Sequence, residues 1–241
     1  MKIVAAENKY DMSRQAAAVI IERVRTKPST TLGLATGSTP EGTYRELIEN
    51  HRLEGTSYSD VSTVNLDEYV GLGSDDPNSF RHFMDVKLFQ HLDISRNQIH
   101  IPDGTALDLE SECQRYDIII DKLGGIDVQL LGIGENGHIG FNEPGTSFQS
   151  RTHIVGLTES TRKANARFFE SFEDVPRYAL TMGIESIFRS RQILLLASGP
   201  AKAAAIERLV HGEVSEAFPA SVLNMHGNVT LIADKEALAL V

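Results

Sequence analysis

Only one cysteine, Cys113, and no tryptophan occur in the 241 residues. A lone thiol excludes an internal disulfide and any CxxC or cysteine-rich zinc site, and this composition suits a reducing cytosol, so a cytoplasmic protein is expected. Basic charge is also in short supply. The 23 Lys and Arg face 33 Asp and Glu, a formal net charge of −10, which repels a polyphosphate backbone, and nucleic acid is not an expected partner. A small anionic ligand remains open, because a few local donors capture it whatever the average charge. Long apolar runs are missing as well. The longest, such as Ile193 to Ala197, have strand length, far short of the ~20 residues that span a bilayer, so no membrane partner is expected. The first residues, Met-Lys-Ile-Val-Ala-Ala-Glu-Asn, lack the apolar stretch and small-residue site of an export signal. No repeat, low-complexity tract or Pro/Gly/Ser-rich linker divides the chain, and a single domain over 1–241 is expected.

What is present is an ordinary globular composition, 41% hydrophobic and 23% charged, long enough for one large core. Short β-rich runs alternate with longer segments whose apolar residues recur every three or four positions, the pattern of a mostly parallel sheet with helices on both faces. Strands are predicted at Lys2 to Ala5, Thr31 to Thr36, Val61 to Leu66, Gln98 to Ile101, Val128 to Ile133, Ile193 to Ser198 and Val229 to Ala233. Helices are predicted over 10–26, 40–51, 78–92, 107–123, 160–169, 177–189 and 200–211. The continuous apolar runs at 128–133 and 193–197 suit central strands buried on both faces. The predicted fold class is α/β, a three-layer sandwich around a Rossmann-like sheet. In such folds ligands bind beyond the carboxyl ends of the strands, where the strand order reverses.

Four strand-end loops carry chemistry. The first reads Gly37-Ser38-Thr39-Pro40 before an amphipathic helix, with Ser38 or Thr39 as expected N-cap. Free amides, hydroxyls and the helix dipole make an anion site there, although a plain capped turn reads the same way and the Gly-Lys-Ser/Thr ending of a P-loop is absent. The second reads Asp67-Glu68-Tyr69. Side chains alternate in extended chain, so one carboxylate faces the ligand crevice and the other turns away; burial would raise the pKa of the first toward that of a useful base, and a helix cap or surface pair is the alternative. The third is a glycine-rich run from Gly132 to Pro144 that presents Asn136, His138 and Glu143. Its G-x-G-x-x-G match leads into more glycine and a proline rather than a long helix, which argues against a dinucleotide. A His beside a carboxylate makes a proton shuttle, against the alternative of a structural His. The five-residue offset between His138 and Glu143 lacks metal-ligand geometry, and no metal is expected. The fourth set is basic. Lys202 opens a helix directly after a strand, on the same edge as the other loops, while Arg162 and Lys163 read as solvated.

The strings Leu34-Ala-Thr-Gly-Ser-Thr-Pro40, Asn65-Leu-Asp-Glu-Tyr-Val-Gly71 and Gly137-His-Ile-Gly-Phe-Asn-Glu-Pro144 resemble the signatures of glucosamine-6-phosphate deaminases, and the likeness continues through Ser150-Arg-Thr-His153, Ala164-Asn-Ala-Arg-Phe-Phe169 and Ala179-Leu-Thr-Met-Gly183. The resemblance implies a hydrolase of an amino-sugar phosphate that converts glucosamine 6-phosphate and water to fructose 6-phosphate and ammonia, on a modified Rossmann-like sheet and without a cofactor. It implies Asp67 as the base between C2 and C1, and His138 as the ring-opening proton acceptor with Glu143 supporting it. It assigns phosphate contacts to Gly37, Ser38, Thr39, Arg167 and Lys202. Many members carry Asp where this chain has Asn136, which orients but cannot ionise, so Glu143 is expected to polarise His138. The stretch His153-Ile-Val155-Gly156 lacks the basic residues of the allosteric members. No activator site and a monomer or small homo-oligomer are therefore expected, and the segment around 157–175 resembles a mobile lid. The rival readings are a 6-phosphogluconolactonase-like hydrolase and a sugar-phosphate-sensing domain, though the latter should bring a helix-turn-helix module and a basic face.

Overall fold

The computed structural model describes residues 1–166 and 169–241. Among these, ten strands form two sheets: β1 (Lys2–Ala6), β2 (Thr31–Leu34), β3 (Ser62–Asn65), β4 (Asp67–Tyr69), β5 (Ile99–His100), β6 (Val128–Gly132), β7 (His153–Gly156), β8 (Tyr178–Thr181), β9 (Ile193–Ala197) and β10 (Val229–Asp234). The helices are α1 (Lys9–Thr26), α2 (Glu41–Glu54), α3 (Phe80–Lys87), α4 (Leu109–Lys122), α5 (Glu159–Asn165), α6 (Ile184–Phe188) and α7 (Ala203–His211).

The main sheet has the order β1-β10-β9-β6-β2-β3-β5, with every pairing parallel. Parallel neighbours need crossover connections, and these lay helices on both faces. Residue alternation along the strands divides the core accordingly. Leu130, Leu194, Leu196 and Ile232 pack with Met12, Ile20, Tyr44 and Leu47 of α1 and α2. Leu131, Leu195, Leu231 and Ala233 pack with Tyr116, Ile187, Ile206 and Leu209 of α4, α6 and α7. The predicted three-layer α/β architecture is therefore the observed one. From β2 the chain steps outward to β3 and β5, and from β6 it steps the other way to β9 and β10. The order reverses between β2 and β6, where two of the glycine-bearing loops emerge.

A second sheet, antiparallel with order β4-β8-β7, has no counterpart among the predicted strands. It also corrects the helix predicted over 177–189: Tyr178–Thr181 is β8, and only Ile184–Phe188 is helical. Ala179, Leu180, Met182, Ile184 and Ile187 are all fully buried, so the apolar positions follow neither period cleanly and periodicity alone does not separate strand from helix. Gly183 makes the break. A Cβ there would lie 2.2 Å from the carbonyl oxygens of both Ser150 and Arg151.

Leu195 lies on the central strand β9 and is wholly buried. Leu195→Ala is expected to lower the unfolding free energy by about 2–5 kcal/mol in urea titrations, through lost burial and the cavity left behind; a change below about 1 kcal/mol would contradict the packing described.

Candidate active site

A cavity of about 650 Å³ opens over the carboxyl ends of β2, β3 and β6, and one wall or another of it carries Gly37, Ser38, Thr39, Asp67, Asn136, His138 and Lys202. The loop after β2 forms its floor. Gly37 has φ 91° with open space where a side chain would sit, so glycine is required by backbone conformation and the backbone lies bare to a ligand. The N-cap expected of Ser38 or Thr39 is corrected. Pro40 occupies the cap position of α2 with helical dihedrals, and no side chain caps the helix. The first-turn amides of α2 are thereby left without a capping side chain beside a cavity that Ser38 and Thr39 line.

The carboxylate pair divides as strand alternation requires. Glu68 turns into the protein, 3% exposed. Its Oε1 accepts from the Tyr69 and Phe80 amides at 2.8 and 2.9 Å, and its Oε2 from the Arg81 amide at 2.9 Å. It thus anchors the N-terminus of α3. Asp67 turns into the cavity, is 7% exposed, and accepts no hydrogen bond from the described residues. Burial, and next the charge of Glu68, push its carboxyl up to about 8. That is the range of a base able to take and return a proton at neutral pH.

The loop after β6 contains no helix up to β7. Asn142 pins it by donating from Nδ2 to the Ile139 and Met182 carbonyls at 2.8 and 2.9 Å. Gly134 is dictated by the imidazole, since a Cβ would meet the His138 ring at 2.3 Å. His138 is half-buried. Burial lowers its pKa, Glu143 opposes that shift, and Lys202 adds to it. Glu143 acts on the ring through its charge and not through a hydrogen bond, because His138 Nδ1 lies 3.9 Å from Glu143 Oε2. Glu143 Oε2 instead accepts from Asn136 Nδ2 at 2.7 Å, and the Asn136 Oδ1 accepts from the His138 amide at 3.2 Å. Asn136 therefore orients the carboxylate, as an amide can.

Lys202 ends a 3-10 turn directly before α7, and no carboxylate oxygen lies within 4 Å of it among the described residues. Burial lowers its pKa, with Glu135 opposing. The loop bearing it is tied down by Asp234, whose carboxylate accepts from the Ser198 hydroxyl and the Gly199 amide. Arg167 lies outside the described residues. Arg162, read from sequence as solvated, donates instead to the Phe172 and Val175 carbonyls and stacks on the Phe172 ring; Lys163 is exposed and pairs with Glu159. Sequence reasoning missed the outer wall, formed by Thr161 and Asn165 of α5 with Phe169. It also missed the ring cluster of Tyr69, Phe80 and Phe141. Asn165 and Phe169 stood in a string singled out for its likeness, but nothing local gave them a role. Among the described residues no three His, Cys, Asp or Glu gather as metal ligands, and no helix is long and apolar enough to cross a membrane.

Fold and cavity together define a three-layer α/β protein with its ligand crevice at the reversal of strand order. More particularly, the chain belongs to the glucosamine-6-phosphate isomerase/6-phosphogluconolactonase family, whose model matches residues 5–232. It is 59% identical over 241 residues to a glucosamine-6-phosphate deaminase of Geobacillus sp. (strain WCH70), covering 100% of this chain and 96% of that one. It is 54% identical over 240 residues to glucosamine-6-phosphate deaminase 1 of Bacillus subtilis (strain 168), covering 100% and 99%. A solved structure described as a monomeric glucosamine-6-phosphate deaminase superposes with TM-score 0.98 at 54% identity over all of both chains. The 6-phosphogluconolactonase of Trypanosoma cruzi superposes with TM-score 0.81 at 20% identity, over 99% and 96% of the two chains, which is a likeness of fold alone. The names these deaminase relatives carry correct the expectation of a hydrolase: they are deaminases within an isomerase family.

The raised pKa of Asp67 sets a sign for stability. The folded state holds this proton more tightly than the unfolded chain, so the contribution of Asp67 is most favourable below about pH 4 and is lost as pH rises toward 8. Asp67→Asn removes that loss. Its unfolding free energy is expected to match the parent near pH 4 and to exceed it increasingly up to pH 9, by roughly 1–3 kcal/mol; parallel pH profiles would show that Asp67 does not titrate late.

Proposed function

We propose that the protein is a glucosamine-6-phosphate deaminase, converting glucosamine 6-phosphate and water to fructose 6-phosphate and ammonia. The observation that carries this reading is a buried carboxylate with a pKa near neutrality, Asp67, sharing one cavity with His138. An aldose–ketose shift needs one base that serves two adjacent carbons and a separate acid–base group to open the pyranose. His138 takes the proton of the C1 hydroxyl and returns one to the ring oxygen as the C1–O5 bond breaks. Asp67 removes the C2 proton, giving an enolamine, and delivers a proton to C1. Water adds to the resulting C2 imine, and ammonia leaves as the ketone forms. The electrons stay within the substrate, so none of these steps needs a redox partner.

The first-turn amides of α2 with Gly37, Ser38 and Thr39 suit the phosphate, and Lys202 adds a positive charge. Arg167 is assigned to the same phosphate on the family likeness. Glu143 supports His138, and Asn136 holds Glu143. One domain over 1–241, a monomer without an activator site, and a cytoplasmic setting complete the proposal; the monomeric relative supports the oligomeric state. The lactonase reading is less supported, since the lactonase structures match at 17–20% identity against 50–59% for the deaminases. A lactonase also has no use for a base at C2.

Ammonia release from glucosamine 6-phosphate, coupled to detection of fructose 6-phosphate, tests the proposal. Asp67→Asn is expected to cut kcat by roughly 10²–10⁴, and hydrolysis of 6-phosphogluconolactone should be absent. Lactone hydrolysis that survives Asp67→Asn, with no ammonia formed, would reverse the assignment. Lys202→Ala should raise KM roughly 10-fold or more while leaving kcat within a few fold. An unchanged KM would remove Lys202 from the phosphate site.

A further inference from the structure

The charged group nearest the imidazole is already engaged elsewhere. Both oxygens of Glu143 hold donors: Oε2 takes the Asn136 amide, and Oε1 takes the hydroxyl of Thr161 at 2.7 Å. Meanwhile His138 Nδ1 is buried and has no hydrogen-bond partner among the described residues, with Glu143 Oε2 waiting 3.9 Å away. Thr161 does not belong to the glycine-rich loop. It sits in the first turn of α5, the helix whose Asn165 borders the same cavity. Its hydroxyl is oriented, because Thr158 donates to Thr161 Oγ1 at 2.9 Å, which commits the Thr161 hydrogen to Glu143. Thr158 in turn caps the helix by accepting from the Thr161 amide. A hydroxyl chain thus runs from the cap of α5 to the carboxylate beside His138, and bonds in such a chain polarise one another.

We propose that Thr161 is a positioning residue, which holds Glu143 away from His138 and so makes the acid–base pair answer to the placement of α5. When α5 is seated as in this structure, the Thr161 hydroxyl and the Asn136 amide share the Glu143 charge and the imidazole is left unpaired. When α5 shifts, Oε1 is released, and Glu143 closes the gap to Nδ1 and stabilises the protonated ring. The charged groups facing the His138 ring are Glu143 and Lys202. Lys202 lies on the α7 side, so a change at Thr161 leaves its opposing effect in place. The inference assigns a chemical task to a helix that otherwise reads as a cavity wall. Its catalytic meaning rests on the deaminase reading, whereas the hydrogen-bond coupling does not.

The test is the titration of His138 in the ligand-free protein by NMR of histidine-labelled samples, with its signal among the eight histidines identified by its loss in His138→Gln. Thr161→Val, which keeps the shape and removes the donor, is expected to raise the His138 midpoint by about half a unit or more. Thr161→Ala should do the same, and Thr161→Ser should return the midpoint to within about 0.2 unit of the parent. In ammonia-release assays the acidic limb of kcat should move with the midpoint while KM changes little. A midpoint unmoved in folded Thr161→Val or Thr161→Ala, or moved equally by Thr161→Ser, overturns the proposal. A midpoint that moves as expected in a protein whose parent releases no ammonia leaves the coupling standing and defeats the deaminase reading alone.

Discussion

The site depends on one constraint: two adjacent carboxylates leave a buried strand, and only one of them is given hydrogen bonds. Glu68 receives three backbone amides, one from Tyr69 and two at the start of α3, which oppose the burial that raises its own pKa. Asp67 is nearly enclosed, receives none from the described residues, and lies beside the Glu68 carboxyl. Its proton is therefore held to near neutral pH. Amides on Asp67 would have opposed that shift, as they oppose burial at Glu68. Burial makes the base, and the neighbouring carboxyl adds to it.

The second sheet supplies the geometry for this division. The chain leaves β3 at Asn65, and the Leu66 amide still bonds to the Leu34 carbonyl of the main sheet while its own carbonyl accepts from Met182. From Asp67 onward the partners belong to β8. The strand is handed from one sheet to the other at the rim of the cavity, and this handover turns Asp67 inward and Glu68 toward α3. Thr181, opposite Asp67 in that pairing, also accepts from the Phe141 amide. The same short sheet thus holds the tip carrying the base and the loop carrying the imidazole.

The main sheet and the chemistry-bearing loops were legible because both have strong local signals. Runs such as Val128–Gly132 and Ile193–Ala197 have the length and uniform apolarity of central strands, and the polar residues crowded between glycines after them mark the ligand edge. The opposite roles of Asp67 and Glu68 followed from alternation, although which faced the cavity was settled only by the resemblance. Three features were not legible. The second sheet is built from three- and four-residue strands, β4 and β8 paired across more than a hundred positions, too short for a period to register. The donors of Glu143, Asn136 and Thr161, come from different elements, and spacing along the chain does not reveal which donor arrives first. Arg162 read as solvent-facing because a guanidinium bound to carbonyls looks the same in sequence as a free one.

The central claim is that a single carboxylate carries a proton between two neighbouring carbons of an amino-sugar phosphate. Turnover of glucosamine 6-phosphate in D₂O, with NMR of the fructose 6-phosphate formed, tests it most directly. The account predicts deuterium at C1 in one of the two prochiral positions, with the fraction below full incorporation where the C2 hydrogen is carried across before exchange with solvent. Label scrambled equally over both C1 positions, or ammonia released without any fructose 6-phosphate, would contradict it.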